Sequence, residues 1–419
     1  MIELVVAKDV LSEILYEDKS FKRALSDQVF SNKERSQLSA SVAGLVGCEL
    51  RHHFLLKKVL DKLGVELTLD ERTYLYLALA NNHFLKVLAV DKVNEKLKDV
   101  FAEKYQQISD ILTTNQSLFD YVNINKKSFD YISIRFNMPK WLLKGFAKEI
   151  GLSKTYRIVH SLARPLDLTY RVNPYNEEAK HILEQNKDIL KNEVYTDVVS
   201  VPRKAFAKNR SLKGDHLFKI DYHLKELVDT YQNQLIEEVS VYSDEDDSLV
   251  QELIARGKNK LGVNVVCPNY ESRTKLVRSV RLQKAKNINV FKANDVVGMK
   301  TGISRKQEAF YCFPKSSSYT YINMYPDYIV RFRNTQIDQF VLNQQRALDN
   351  CAEFICDGGE LIYIVNTLNH RETHDVVNRF LQTHPSFKLV KENQFVPEKN
   401  YGSFLYYAVL KLEANHVED

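Results

Sequence analysis

No proline occurs before Pro139, and the 419 residues hold nine prolines and 13 glycines in all. Nothing therefore forces a break in helical structure over the first third of the chain. Cysteine is scarce too. Cys48, Cys267, Cys312, Cys351 and Cys356 form no C-x-x-C pair, which fits free thiols in a reducing cytoplasm rather than a disulfide scaffold. No run approaches the ~18 apolar residues that a membrane span needs. The opening "MIELVVAKDV" lacks the basic stretch and long apolar core of a signal peptide, so none is expected. With 44% hydrophobic and 27% charged residues, the composition is that of a folded globular protein, and the length predicts two or three domains.

Acidic residues are unevenly absent. Residues 202–213, "PRKAFAKNRSLK", contain none, and residues 273–315 set eleven Lys or Arg against Asp295 and Glu308. The net charge of +5 is modest, but basic surface concentrated in this way favours phosphate backbones. A merely solvated, lysine-rich face is the equal alternative.

What is present organises into three parts. Residues 1–135 read as helical. "SNKE" (31–34) and "TLDE" (68–71) have the form of capping boxes. Leu38, Val42, Leu45, Val46 and Leu50 then fall at helical spacing. His52 and His53 lie inside that helix about 100° apart, a poor arrangement for sharing a metal. Residues 136–215 predict a small α/β subdomain. A proline-initiated helix there carries Lys140, Lys144 and Lys148 on one face beside Trp141. The strand-like "PLDLTYRVNPY" ends at Asn173–Pro174, and another helix follows. From 216 to 415, short apolar runs alternate with helical stretches, the pattern of a mainly parallel, doubly wound sheet. Cys351 and Cys356 are expected on a helix packed against it, as buried apolar groups.

The order of several landmarks resembles the Fmu/Sun family of ribosomal-RNA cytosine-5 methyltransferases. These are "VNEKLKD" (93–99), "MPKWLLKGFAKEIG" (138–151), "LTYRVNP" (168–174), "YPDYIVRF" (325–332), Gln345 and Leu348 set against a Gln-x-x-x-Leu helix pattern, and "DGGELIY" (357–363). The resemblance runs across nearly the whole chain. It implies an all-α N-terminal domain like the antitermination factor NusB (1–135), a small α/β linker subdomain (136–215) and a Rossmann-like methyltransferase domain (216–415). It also implies RNA as the partner, ribosomal by family. In that family a cysteine of a Thr-Cys motif adds to cytosine C6, so that C5 can take a methyl group from S-adenosylmethionine. A second cysteine, in a Pro-Cys motif, serves product release.

Both thiols are missing at the matching positions. The Thr-Cys position falls on Asn366 and the Pro-Cys position on Lys315, within "FYCFPKSSSY" (310–319). The family's acid two residues before that proline falls on Cys312, which should be buried within the strand. Ser316, Ser317 and Ser318 are no substitute without a base. The family's glycine-rich cofactor loop is matched by "VYSDEDDSLVQEL" (241–253), which has no glycine and four consecutive acids from Asp244 to Asp247. Pro268 stands near the place of the ribose-binding acid. Asp295 is the one cofactor-side acid the resemblance leaves in place.

No bound cofactor is therefore expected. The leading expectation is a cytoplasmic, RNA-binding relative without catalysis, a pseudoenzyme connected with ribosomal-RNA processing. Its candidate RNA contacts are Lys140, Lys144, Arg171, Lys204, Lys208, Arg210, Lys315 and Arg331. The alternatives are an active, divergent S-adenosylmethionine-dependent RNA methyltransferase, and a scaffold that meets a protein partner through its NusB-like domain. "HRETH" (370–374) offers two histidines at i, i+4 but no evident third ligand, so no metal is expected. "VVGMKTGISRK" (296–306) lacks the P-loop pattern and reads as a basic loop.

Overall fold

The computed structural model describes residues 1–163, 168–173, 175–192, 197–202, 205, 209, 217–231, 237–257, 260–282, 284–397 and 403–413. Two compact units emerge, one of residues 1–163 with 321–333 and one of residues 164–320 with 334–419. The division departs from the boundaries at 135 and 215. The helices Lys140–Ile150 and Leu152–Leu162 belong with the helical unit, because they pack on the helix Phe129–Phe136 and on each other.

In the first unit the helices Ile2–Tyr16, Leu69–Ala80 and Phe129–Phe136 pack against the helix Ser39–Leu63. Leu4, Leu11, Ile14, Leu45, Leu50 and Leu56 are almost wholly withdrawn from solvent, each stabilising the unit by about 1.5–3 kcal/mol. The long helix stops at Gly64, whose φ of +66° suits glycine and lets its N–H reach Leu60 O. The capping box at 68–71 is formed in full: Glu71 N–H donates to Thr68 Oγ1, and Thr68 N–H donates to Glu71 Oε2. The one expected at 31–34 is not. Ser31 Oγ donates back to Asp27 O, Asn32 Oδ1 takes the Glu34 N–H, and the helix begins only at Ser39 after a short 3-10 turn. His53 pairs with buried Glu49 at 2.7 Å, while His52 stacks on Phe84. Among the described residues no group of three His, Cys, Asp or Glu could hold a metal ion, and no helix is long and apolar enough to cross a membrane.

The second unit holds two sheets. The smaller is antiparallel in the order β2-β3-β1-β4, with β1 (Leu168–Val172), β2 (Lys191–Asn192), β3 (Val198–Val201) and β4 (Leu217–Lys219). The larger has β5 (Glu238–Ser243), β6 (Gly262–Cys267), β7 (Ile288–Lys292), β8 (Gln307–Phe313), β9 (Ile355–Val365), β10 (Phe387–Phe395) and β11 (Leu405–Leu412) in the order β10-β11-β9-β8-β5-β6-β7. β7 through β9 in that order are mutually parallel, and β11 and β10 close one edge antiparallel. This is the expected Rossmann-like, doubly wound arrangement. The central parallel strands β5 and β8 are buried on both faces, which is why they read as nearly continuous apolar runs, while the edge strand β7 is only half-buried. Cys351 sits in the core on the helix Gln336–Ala352, as expected. Cys356 does not: it lies in β9 and is half-buried.

Candidate active-site crevice

The chain leaves β5 toward one side of the sheet, at β6, and leaves β8 toward the other, at β9. The strand order reverses between β5 and β8, and such a reversal opens a crevice beyond the strands' carboxyl ends. Three loops meet there: 244–247 after β5, 314–318 after β8 and 366–372 after β9. Parallel register sets Ser243 beside Phe313 and Cys312 beside Tyr363, so the three exits are level.

The serine loop is held by two carboxylates. Glu245 Oε2 accepts the Ser316 N–H at 2.8 Å and Ser316 Oγ at 3.3 Å, and Glu245 Oε1 accepts a short bond from Ser318 Oγ. Ser318 has a φ of +46°, a left-handed conformation that non-glycine residues rarely adopt. The Glu245 bond helps hold it there. Glu372 Oε1 accepts the Ser317 N–H at 2.8 Å and Gln344 Nε2 at 3.0 Å. Ser317 Oγ and Thr367 Oγ1 lie 2.7 Å apart. Burial pushes the Glu245 carboxyl up to about 8, only partly opposed by the Ser318 and Ser316 bonds. Burial likewise raises Glu372, whose side chain is closed off from solvent.

The other acids of 244–247 also bind their own chain. Asp244 Oδ1 accepts Asn269 Nδ2 at 3.1 Å and Ser272 Oγ at 3.2 Å, joining the loop after β5 to the loop after β6. Asp246 Oδ1 accepts the Ser248 N–H at 3.0 Å, and Asp247 Oδ2 accepts Gln251 Nε2 at 2.6 Å. Carboxylates thus occupy the start of the helix Ser248–Gly257, where a free helix N-terminus would attract a bound anion.

Asn366 is 3% exposed. Its carbonyl accepts the Tyr319 N–H at 3.0 Å, while its Oδ1 is buried without a hydrogen bond among the described residues. Lys315 is exposed, and its backbone carbonyl takes Gln344 Nε2 at 3.1 Å. Cys312 is fully buried within β8, so its thiol faces the core and not the crevice. Asp295 is exposed and caps a one-turn helix, accepting the Gly298 N–H at 2.7 Å.

The remaining candidates part company. Arg171 is not on an RNA face. It is 4% exposed, with Nη2 on Glu252 of the helix Ser248–Gly257 and Nη1 3.2 Å from Asp197. Arg331 is also engaged. It donates to Asp18 O at 2.7 Å and to Asp327 Oδ2 at 3.2 Å, pinning 321–333 to the helical unit. Lys140 and Lys144 are exposed on one face as expected, with Lys140 paired to Asp130. Lys204, Lys208 and Arg210 lie outside the described residues. In the "HRETH" segment His374 pairs with Glu392 at 3.1 Å, and the residue that enters the crevice network is Glu372, which the sequence did not single out. Gln344 was missed in the same way. It is wholly buried and stands four residues before Leu348, whereas neighbouring Gln345 is half-buried. The Gln-x-x-x-Leu spacing itself was the available signal.

No family model matches the sequence, and no curated protein matches it. Solved structures do share its fold. The crystal structure of PH0851 is 17% identical, covers 97% of this chain and 98% of its own, and superposes with a TM-score of 0.70. NSun6 from Pyrococcus horikoshii, solved with SFG, is 11% identical over 65% of this chain and 98% of its own, at a TM-score of 0.55. A methyltransferase homolog from Pyrococcus horikoshii is 11% identical over 68% of this chain and 99% of its own, at 0.54. The chain therefore shares the fold of these structures: a helical N-terminal region followed by a Rossmann-like, doubly wound domain.

Proposed function

We propose that this chain is an RNA-binding protein on a cytosine-5 methyltransferase scaffold, and that it does not transfer methyl groups. The observation that carries this reading is the Glu245 clamp on Ser316 and Ser318, with Asn366 beside the same network. Methylation at C5 needs a thiolate to attack C6. Asn366 has none, Lys315 offers an amine, and Cys312 is sealed in the sheet.

The crevice residues also do not fit S-adenosylmethionine. Its carboxylate would meet Asp246 and Asp247 where it needs free N–H groups, and Asp244 already bridges the two loops between which it would lie. The exposed Lys144 and Lys315 supply positive charge suited to RNA phosphates. Ribosomal RNA is the partner and the cytoplasm the compartment this reading favours.

Calorimetric titration with S-adenosylmethionine and transfer of labelled methyl groups to ribosomal RNA test it. The parent chain and the Lys315→Cys, Asn366→Cys double variant should both be silent. Micromolar cofactor binding, or activity in the parent, would overturn the loss of catalysis. Activity in the double variant alone would show that the cofactor site survives.

A further inference from the structure

The helix Tyr270–Leu282 buries Leu276 and half-buries Val280 against the large sheet. Its other side carries Arg273, Thr274, Val277, Arg278 and Arg281, which line an open hollow of about 430 Å³. Positions 273, 277 and 281 are spaced i, i+4, i+8, and 274 and 278 run beside them. Arg273 and Arg281 therefore lie on one row about 12 Å long, and Arg278 stands on the row beside it, three residues before Arg281. Arg278 and Arg281 are exposed and Arg273 is half-buried. None of the three makes an ion pair or hydrogen bond among the described residues, whereas Lys275 on the same helix pairs with Glu271 at 2.6 Å. At the head of the helix Tyr270 is 70% exposed, with Lys292 Nζ 4.6 Å from its ring centre.

Like charges held side by side on a helix repel one another. They are stabilised when an anionic partner lies across them, and the planar guanidinium matches phosphate oxygens two at a time. Three such groups spread over about 12 Å of one open helix face suit a chain of phosphates better than a single anion. An exposed tyrosine next to them suits an unstacked base. We propose that this stripe grips the phosphate backbone of an RNA strand without regard to sequence, with Tyr270 as a stacking platform at one end. The proposal rests on the RNA-binding reading above and adds where, and by what contacts, the strand is held.

The test uses the full chain and a fluorescent oligouridine strand, titrated at several salt concentrations. Arg273→Glu, Arg278→Glu and Arg281→Glu together should weaken binding about tenfold or more. They should also lower the slope of log affinity against log salt by roughly 2, because about 0.7 is lost per single-strand phosphate contact. The same three positions changed to Lys should keep most of the slope and lose part of the affinity. Tyr270→Ala should weaken binding with the slope unchanged. An unchanged affinity and slope in the Glu variant would overturn the stripe while leaving RNA binding elsewhere intact. A parent that binds no RNA would remove both readings. Loss in the Glu variant of binding to vesicles rich in anionic lipid, with RNA binding unaltered, would assign the stripe to a membrane surface and overturn the proposal.

Discussion

Arg171 lies 4% exposed under the small sheet, between Glu252 and Asp197, while Arg273, Arg278 and Arg281 stand on an open helix face with no carboxylate on them among the described residues. All four are arginines in basic or strand-like sequence. In the first place the charge is satisfied internally and holds two elements together. In the second it is left for something outside the chain. The acids divide likewise: Asp244, Glu245, Asp246 and Asp247 look like a solvated acidic run, yet each binds its own chain. A charge marks an interaction surface only when the fold leaves it without an internal partner.

The largest test of this contrast is Arg171→Met. It strands Glu252, whose carboxyl is fully buried and held at about 7 by burial against the pull of Arg171 and Lys225. Breaking a buried pair from one side costs about 3–5 kcal/mol, read as a lower urea midpoint. Adding Glu252→Leu should recover much of the loss. A single variant as stable as the parent would mean that the buried arginine is as dispensable as the exposed ones.

Glu245→Ala comes next. It leaves the Ser316 N–H without its acceptor and the Ser318 hydroxyl with only its longer bonds to Ser316, at a cost of about 1–3 kcal/mol, and hydrogen exchange at 316–318 should quicken. The pH dependence sharpens the point. The folded state raises Glu245 from 4.5 to about 8 and Glu252 from 4.5 to about 7, chiefly through burial. Raised carboxyl groups retain protons that the unfolded chain releases. Their contribution is complete below pH 4.5 and declines as the pH rises through 7 and 8. The urea midpoint should fall across that window, and less so in Glu245→Gln. A midpoint that climbs with pH there would remove the account of a raised Glu245.

The smallest expected effect belongs to the stripe. Arg278→Glu alone should change stability by no more than about 0.5 kcal/mol, since an exposed, unpaired side chain has no native contact to lose. A clear drop in thermal midpoint would mean that the stripe is structural after all, and the contrast with Arg171 would vanish.

Features set by neighbouring residues were legible before the fold. The Thr68–Glu71 box spans four residues, the helix at 39–63 follows from its apolar spacing, and β8 ends at Pro314 as the proline demands. The false box at 31–34 shows the limit even there, because Asn32 reached the Glu34 N–H first. Of the crevice, the sequence showed that Lys315 and Asn366 follow two strands, but not which side chains surround them. Glu245 meets Ser316 across 71 residues of chain, and Arg171 meets Glu252 across 81. Those pairings depend on which strands lie side by side and in what register, and one step along a strand turns a side chain from one face to the other. The sequence by itself determined the strand and helix signals, the absence of cysteine at 315 and 366, and where positive charge gathers. The tertiary structure alone decided that Gln344 and not Gln345 enters the core, that Cys356 belongs to a strand, and which charges are spent inside and which face out. Burial and hydrogen-bond partners are properties of assembled elements, not of any single stretch of chain.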